Sequence, residues 1–141
     1  MGTEMNLIGL LTERQLEIRQ TCQKMWNSHY DVYIADSEWA ALRAASAEAL
    51  TISEMAKRLG ISRQAVHKIV KSMELKELVK VYETPEYKNR KYIVITEKGK
   101  DYDMVYQKVK EELLEKIERT MGSDNSCQLK KLLSIDWGIG A

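Results

Sequence analysis

The side chains best suited to binding chemistry fall within one short helical segment, residues 63–75. At 100° per residue, its polar side chains share one side of a helix, with Arg63 at the N-terminal edge. The others in this set are Gln64, His67, Lys68 and Lys71. Such groups bind phosphate oxygens and base edges, and no acidic residue interrupts them before Glu74. The pattern predicts a nucleic-acid surface; the alternative is an ordinary solvated helix face, which usually mixes both signs of charge.

The charge of the whole chain supports the first interpretation. The net charge is only +1, but residues 51–91 carry ten basic and five acidic side chains, and the remainder is acidic. A basic middle third in a nearly neutral protein indicates a localised contact with a polyanion.

The segment before residue 63 has the signals of a helix-turn-helix. Thr51 and Glu54 form a capping box, Gly60 ends the short helix that follows, and Ser62 can cap the next one. A helix, a tight glycine turn and a second helix is the arrangement that places the second helix in the major groove. Ser62 therefore joins the candidate DNA-binding residues.

A β-hairpin is predicted directly after this unit. Residues 78–82 and 91–96 are rich in β-forming side chains, and residues 83–90 between them are hydrophilic. The loop tip holds Lys88, Asn89 and Arg90, and Lys91 opens the second run. A hairpin in this position is a wing, so these four residues complete the predicted DNA contacts.

Helices are predicted on both sides of the winged unit. Heptad-spaced apolar residues indicate a long helix over residues 12–33, and Asp36 or Ser37 can cap the next helix. Thr96 begins a long helix whose apolar stripe runs from Tyr102 to Ile117, and a short apolar helix follows the break near Gly122. The expected fold is mainly α with a small β-hairpin wing. We divide it into residues 1–35, a winged lobe at 36–97 and terminal helices at 98–141.

Five further residues are candidates for sensing. Cys22 could be a redox-active thiol, but a buried cysteine is the commoner case. His29, Tyr30, Tyr33 and Trp39 could line a pocket for a small aromatic effector, although the same pattern is typical of core aromatics.

Other classes of function find little support in the residues. No paired acid and base, nucleophile motif or phosphate-binding glycine loop indicates an enzyme, and no ligand spacing indicates a metal or cofactor. We expect no signal peptide or membrane span, and the two widely spaced cysteines favour the cytoplasm.

The order of these elements resembles the MarR family of bacterial regulators, from about residue 10 to 137. Residues 50–74 fit the family's two-helix segment, and Ile95–Gly99 is similar to the motif that opens its long dimerisation helix. The resemblance implies a homodimer joined through the N- and C-terminal helices. It also implies a pseudo-palindromic double-stranded DNA operator and repression relieved by an effector.

The wing departs from the family pattern. The usual Asp-x-Arg slot holds residues 87–89, and Glu77 replaces the glycine that commonly precedes the first wing strand. We expect Arg90 to enter the minor groove in place of the family arginine, helped by Lys88 and Lys91.

The sequence therefore predicts a DNA-binding transcriptional repressor that acts as a homodimer. Lys68 and Lys71 are expected to anchor phosphates, while Gln64 and His67 approach the base edges. The alternative is a winged-helix adaptor for protein contacts, but an adaptor surface should be apolar at its centre. We also expect the stripe of residues 102–117 and the apolar residues 129–137 to be buried against a second chain.

Overall fold

A computed structural model of the chain describes residues 5–83 and 90–140. This part contains six helices and a three-stranded antiparallel sheet, which confirms the predicted fold class. The elements are α1 (Leu7–Asn27), α2 (Asp36–Ala47), β1 (Leu50–Thr51), α3 (Ile52–Leu59), α4 (Arg63–Leu75), β2 (Val79–Glu83), β3 (Lys91–Ile95), α5 (Glu97–Met121) and α6 (Ser123–Ser134).

The helix-turn-helix forms as its capping signals predict. The Thr51 hydroxyl accepts the Glu54 backbone N–H at 3.2 Å, and the Glu54 carboxylate accepts that of Thr51 at 3.1 Å. Gly60 ends α3 in the left-handed conformation, with φ 67°. The Ser62 hydroxyl then accepts the Ala65 N–H at 3.1 Å and starts α4. These local bonds fix the angle between the two helices.

The sheet contains a strand that the sequence did not predict. β1 pairs with β3 through Leu50 and Ile93, and β2 pairs with the other edge of β3, giving the order β1–β3–β2. Two residues are too few to show an alternating pattern. The pairing joins the wing to the start of α3.

Both predicted boundaries between α1 and α2 are wrong. α1 ends at Asn27 rather than near residue 33, because side chains of its last turn bind the following loop. The Trp26 Nε1–H, for example, donates to the Val32 carbonyl at 2.9 Å. Residue 35 is the N-cap of α2, and its alanine methyl cannot accept a hydrogen bond. The Glu38 carboxylate reaches back instead and accepts the Ala35 N–H at 3.0 Å.

An aromatic cluster joins α1, α2 and α5. The fully buried Trp26 ring lies 4.6 Å from Tyr30, 4.7 Å from Trp39 and 5.0 Å from Tyr102, measured between centroids. Trp39 also stacks on Tyr106 at 3.9 Å, with the ring planes 4° apart. A second part of the same core fills the winged lobe. Its fully buried members include Leu42, Leu50, Met55, Val66, Met73, Leu78 and Ile93.

The stripe on α5 lies against its own chain, which corrects the expectation that it is left for a partner. Tyr106, Val109 and Leu113 are buried, while Tyr102, Val105 and Ile117 are partly buried against the same core. α5 packs on α1 and α2, and these two helices cover the stripe. The apolar residues of α6 remain exposed.

The junction between α4, the wing and α5 is tightly closed. Glu77 has a φ of 63° and makes the turn where the family commonly has glycine. Its carbonyl accepts the Thr96 hydroxyl at 2.7 Å, and the Leu78 carbonyl accepts the Thr96 N–H at 3.0 Å. A Cβ at Gly99 would overlap the Leu78 carbonyl oxygen. Only glycine therefore permits α5 to begin this close to the first wing strand.

We predict that Glu77→Gly stabilises the protein. A non-glycine residue in the left-handed region costs about 1–2 kcal/mol, of which glycine's greater freedom in the unfolded chain cancels part. The free energy of unfolding should rise by about 0.5–1 kcal/mol in urea titrations at fixed protein concentration.

The matched control is Glu74→Gly, one turn earlier within α4. Glycine inside a helix should lower the unfolding free energy by about 1 kcal/mol. A loss of stability in both variants would show that the Glu77 backbone carries no strain.

Candidate nucleic-acid interface

The two faces of α4 separate as the sequence predicts. Val66, Val70 and Met73 are buried beneath the helix, and Ile69 is partly buried. Arg63, Gln64, His67, Lys68 and Lys71 are all exposed. Ser62, also exposed, uses its oxygen to cap the helix. The structure thus brings the six candidate residues of this segment onto or beside one solvent-facing surface, which we call the α4 face.

The α4 face continues into a cleft beside the wing. The cleft has a volume of about 740 Å³ and lies between α4, the start of α3 and strands β2 and β3. His67 and Lys71 line it from the helix, and Lys91 lines it from the wing. Glu74 and Glu83 also line it, so the cleft carries both signs of charge. Glu83 was not singled out in the sequence, because pairing between strands is needed to bring it opposite α4.

The wing candidates occupy different places. Lys88 and Asn89 lie outside the described residues. Arg90 is exposed and immediately precedes β3. Because Tyr92 pairs with Thr51, the chain at Arg90 runs beside the N-terminus of α3.

An electrostatic interaction with Glu54 supports this position of Arg90. The pKa of Glu54 lies below its usual value. The main cause is a hydrogen bond from the Thr51 backbone N–H to the Glu54 carboxylate, and a hydrogen bond from the Thr51 side chain is the next largest cause. The positive charge of Arg90 adds to this lowering of the pKa. Arg90 is therefore near the capping box of α3, where the wing strands end and the wing loop joins β3.

The four effector-pocket candidates divide between core and surface. Trp39 is buried and Tyr30 is partly buried in the aromatic cluster, where their rings contact Trp26. His29 and Tyr33 are exposed. The structure therefore does not gather the four around a common cavity.

An open groove runs along the outer side of α1 and includes one of these candidates, Tyr33. Its volume is about 860 Å³, and polar side chains such as Arg19, Gln23 and Asp36 line it. The Gln23 Nε2–H donates to the Ile34 carbonyl at 2.6 Å, but its buried Oε1 has no partner among the described residues. Gln23 thus belongs to the wall of the groove, with one buried hydrogen-bonding atom unpartnered among the described residues. Sequence reasoning missed the groove, since the loop after α1 forms one wall.

Cys22 is buried in the core, with 3% of its surface exposed. Burial raises the pKa of its thiol, a shift that the charge of Lys110 and a hydrogen bond with Tyr106 only partly offset. A raised pKa disfavours the thiolate that redox chemistry requires. Cys127 on α6 is the exposed cysteine.

Residues 5–83 and 90–140 contain neither a metal-binding cluster nor a membrane-spanning helix. No cluster of three or more His, Cys, Asp or Glu side chains is arranged to hold a metal ion there. None of the helices in this part of the chain has the length and apolar character needed to cross a bilayer.

A helix-turn-helix followed by a β-hairpin defines the winged-helix class. Within it, the family model described as "MarR family" matches residues 34–88. Uncharacterised proteins of Mycobacterium tuberculosis and Mycobacterium bovis are 30% identical to the chain over 64 residues. That alignment covers 45% of this chain and 45% of each relative, so the match extends over less than half of their length.

Solved structures agree in fold over more of the chain. MepR, a transcription regulator of the Staphylococcus aureus multidrug efflux pump MepA, superposes with a TM-score of 0.74 at 20% identity, covering 92% of this chain and 95% of MepR. MarR from E. coli gives a TM-score of 0.74 at 17% identity, covering 93% and 96%. The resemblance drawn from the sequence is confirmed: residues 34–88 match the MarR family model, and the chain has the fold of these regulators.

We predict that Cys22 is inert in the folded protein. In a Cys127→Ser variant, the remaining thiol should not react with a disulfide reagent at neutral pH, because it is buried and protonated. Full reaction should appear on unfolding in denaturant. Rapid modification of this native variant would contradict the structure, and Cys22→Ser, which retains the exposed Cys127, is the positive control.

Proposed function

We propose that this protein is a sequence-specific regulator of transcription that binds double-stranded DNA as a homodimer. The observation that carries the proposal is the α4 face, whose exposed side chains are basic or polar and include no acid before Glu74. The helix is held at this position by caps at both α3 and α4. A solved complex of MepR with DNA has the same fold, with a TM-score of 0.75 at 20% identity, and supports this use of the surface.

Different residues of the α4 face would bind phosphates and base edges. Lys68 and Lys71 present point charges suited to phosphates, and Lys91 continues this charge across the cleft. Gln64 and His67 carry both donors and acceptors, which base edges in the major groove require. Ser62 and Arg63 lie at the N-terminal end of α4, the end that approaches bases in helix-turn-helix proteins.

The wing would add a second contact. We propose that Arg90 enters the minor groove, where a narrow A·T-rich segment concentrates negative potential. Its place beside the N-terminus of α3 puts this contact at the loop end of the wing strands. Lys88 and Asn89, outside the described residues, belong to the same proposed surface.

A protein-binding adaptor fits this surface less well. The centre of a protein interface is depleted in charge, whereas the α4 face exposes three basic side chains, Arg63, Lys68 and Lys71.

The terminal helices support the homodimer. The chain exposes 10775 Å², whereas a compact monomer of its mass would expose about 7500 Å². Many large apolar side chains near the two ends of the chain are exposed. These exposed side chains include Leu7, Ile8, Leu10, Leu16, Leu129, Leu132, Leu133, Ile135 and Trp137. We propose that residues 1–35 and 98–141 form the dimer interface and that residues 36–97 form the DNA-binding lobe.

Regulation is proposed to be repression relieved by a small aromatic effector. The α1 groove supports this mode because it is open to solvent and lined by polar side chains together with Tyr33. Polar side chains of the lining, such as Arg19 and Asp36, could hydrogen-bond a phenolic hydroxyl, with Tyr33 also in the lining.

DNA binding is tested with duplexes that the protein selects from random sequence. Lys71→Ala should weaken binding to all sequences and reduce the slope of log affinity against log salt by about one. Gln64→Ala should instead relax the preference at one base pair at a cost of about 1–3 kcal/mol. Fluorescence anisotropy between about 50 and 200 mM salt measures both effects.

Lys108→Ala, an exposed lysine on α5, is the control and should leave the slope unchanged. If the wild-type protein selects no sequence, the proposed function is wrong. If Lys71→Ala alters the base preference at a constant salt slope, the roles of the α4 residues are wrongly assigned.

The dimer is tested by sedimentation. The wild-type protein should sediment at twice its monomer mass of 16.3 kDa at micromolar concentration. Leu132→Glu should shift it to monomer, because a charge would be buried in the apolar interface. The control is Leu75→Glu, since Leu75 is 80% exposed outside the terminal helices. A folded wild-type monomer at micromolar concentration would overturn the proposed assembly.

A further inference from the structure

The loop between α1 and α2, residues 28–35, which we call the strap, is held on one side by α1. The Trp26 Nε1–H donates to the Val32 carbonyl at 2.9 Å, and the Gln23 Nε2–H donates to the Ile34 carbonyl at 2.6 Å. Ile34 is itself fully buried. Two hydrogen bonds therefore join the strap to α1.

The same strap is held on its other side by the end of α4. Lys76, the C-cap of α4, donates from Nζ to the Tyr33 carbonyl at 2.8 Å. Its ammonium also bonds both carboxylate oxygens of Glu38, each at 2.9 Å. One cation thus joins α4, the strap and α2.

Glu38 is the centre of this connection and is only 6% exposed. Besides Lys76, its carboxylate accepts the Ala35 N–H at 3.0 Å and the Ser72 hydroxyl at 3.0 Å. A buried carboxylate needs such partners, and removing one leaves an uncompensated charge. Two of its three partner residues, Ser72 and Lys76, belong to the C-terminal end of α4.

We propose that Glu38 and Lys76 are positioning residues for DNA recognition, which fix the direction of α4 relative to α1. The proposal rests on the proposed function, in which α1 lies in the dimer interface and α4 enters the major groove. The connection then sets the separation of the two α4 helices in the dimer. It matches them to half-sites one helical turn apart.

The connection can fix the direction of α4 because its hydrogen bonds are directional and act at one end of the helix. Within α4, Val66, Val70 and Met73 bury one side of the helix, but apolar contacts are not directional. Hydrogen bonds from Ser72 and Lys76 to a buried carboxylate are directional and fix the last turn. Without them, α4 can change its angle while its core contacts are kept. In a symmetric dimer, a change in that angle is repeated in both subunits.

The test compares Lys76→Met and Glu38→Gln with wild type on DNA of altered half-site spacing. The probes are a duplex selected by the wild-type protein and versions with one or two base pairs inserted between the half-sites. Each variant should lose about tenfold in affinity for the native spacing, in the range of coupling through contact networks. Affinity for the altered spacings should change by less than about twofold, so the preference for the native spacing falls.

Two further measurements separate positioning from other roles. The salt slope should stay at the wild-type value, because Lys76 binds the strap rather than a phosphate. In the double variant, Glu38→Gln with Lys76→Met, the affinity loss should be smaller than the product of the two single losses, since both remove one connection. Lys76→Arg should restore part of the spacing preference.

Glu48→Gln is the matched control, because Glu48 forms an exposed ion pair with Arg58 at 2.8 Å. It should bind every probe as wild type does. Circular dichroism establishes that each variant is folded at the assay temperature. If Lys76→Met does not fold, the binding of Glu38→Gln alone tests the positioning role, because this substitution preserves the size of the side chain.

Equal losses on all spacings, or a shallower salt slope for Lys76→Met, would overturn the positioning role. Unchanged binding by both single variants would also overturn it. If the wild-type protein binds no DNA, the proposed function fails together with this inference. If the wild-type protein binds DNA with a spacing preference and the variants keep that preference, the positioning role is wrong but the proposed function stands.

Discussion

The arrangement of the helices depends on the burial of Trp26. Its ring contacts aromatic side chains of α2 and α5, and its Nε1–H holds the strap through the Val32 carbonyl. An aromatic ring contributes a large apolar area, and the single polar atom of Trp26 is hydrogen-bonded. One side chain on α1 therefore fixes three other segments. The winged lobe is attached to the terminal helices through this cluster, the strap beside it and the junction where Gly99 approaches Leu78.

Buried and exposed charged side chains have different roles in this structure. The buried carboxylates Glu38 and Asp103 each pair with a base on another helix, Lys76 and Arg43, and so connect elements. By contrast, none of the basic residues of the α4 face forms an ion pair with another described residue. Their charges remain available for phosphates. The same residue types thus serve packing in one place and recognition in the other.

Local signals explain which predictions from the sequence succeed. The capping box at Thr51, the left-handed Gly60 and the cap at Ser62 act over three or four residues, so neighbouring side chains determine them. The two-sided pattern of α4 is also local. The end of α1 was predicted wrongly because hydrogen bonds to the strap decide it. The prediction for the α5 stripe fails because an apolar stripe does not state whether its own chain or a partner covers it.

The sequence by itself determined the helix-turn-helix, the wing strands and the basic face of α4, because short-range hydrogen bonds and helical periodicity encode them. Only the tertiary structure revealed β1, the wing residue Glu83 facing α4, and the connection between Glu38 and Lys76. These contacts join residues up to 43 positions apart. A pattern of residue types carries no information about such distances, since chain reversal and packing decide which charges meet.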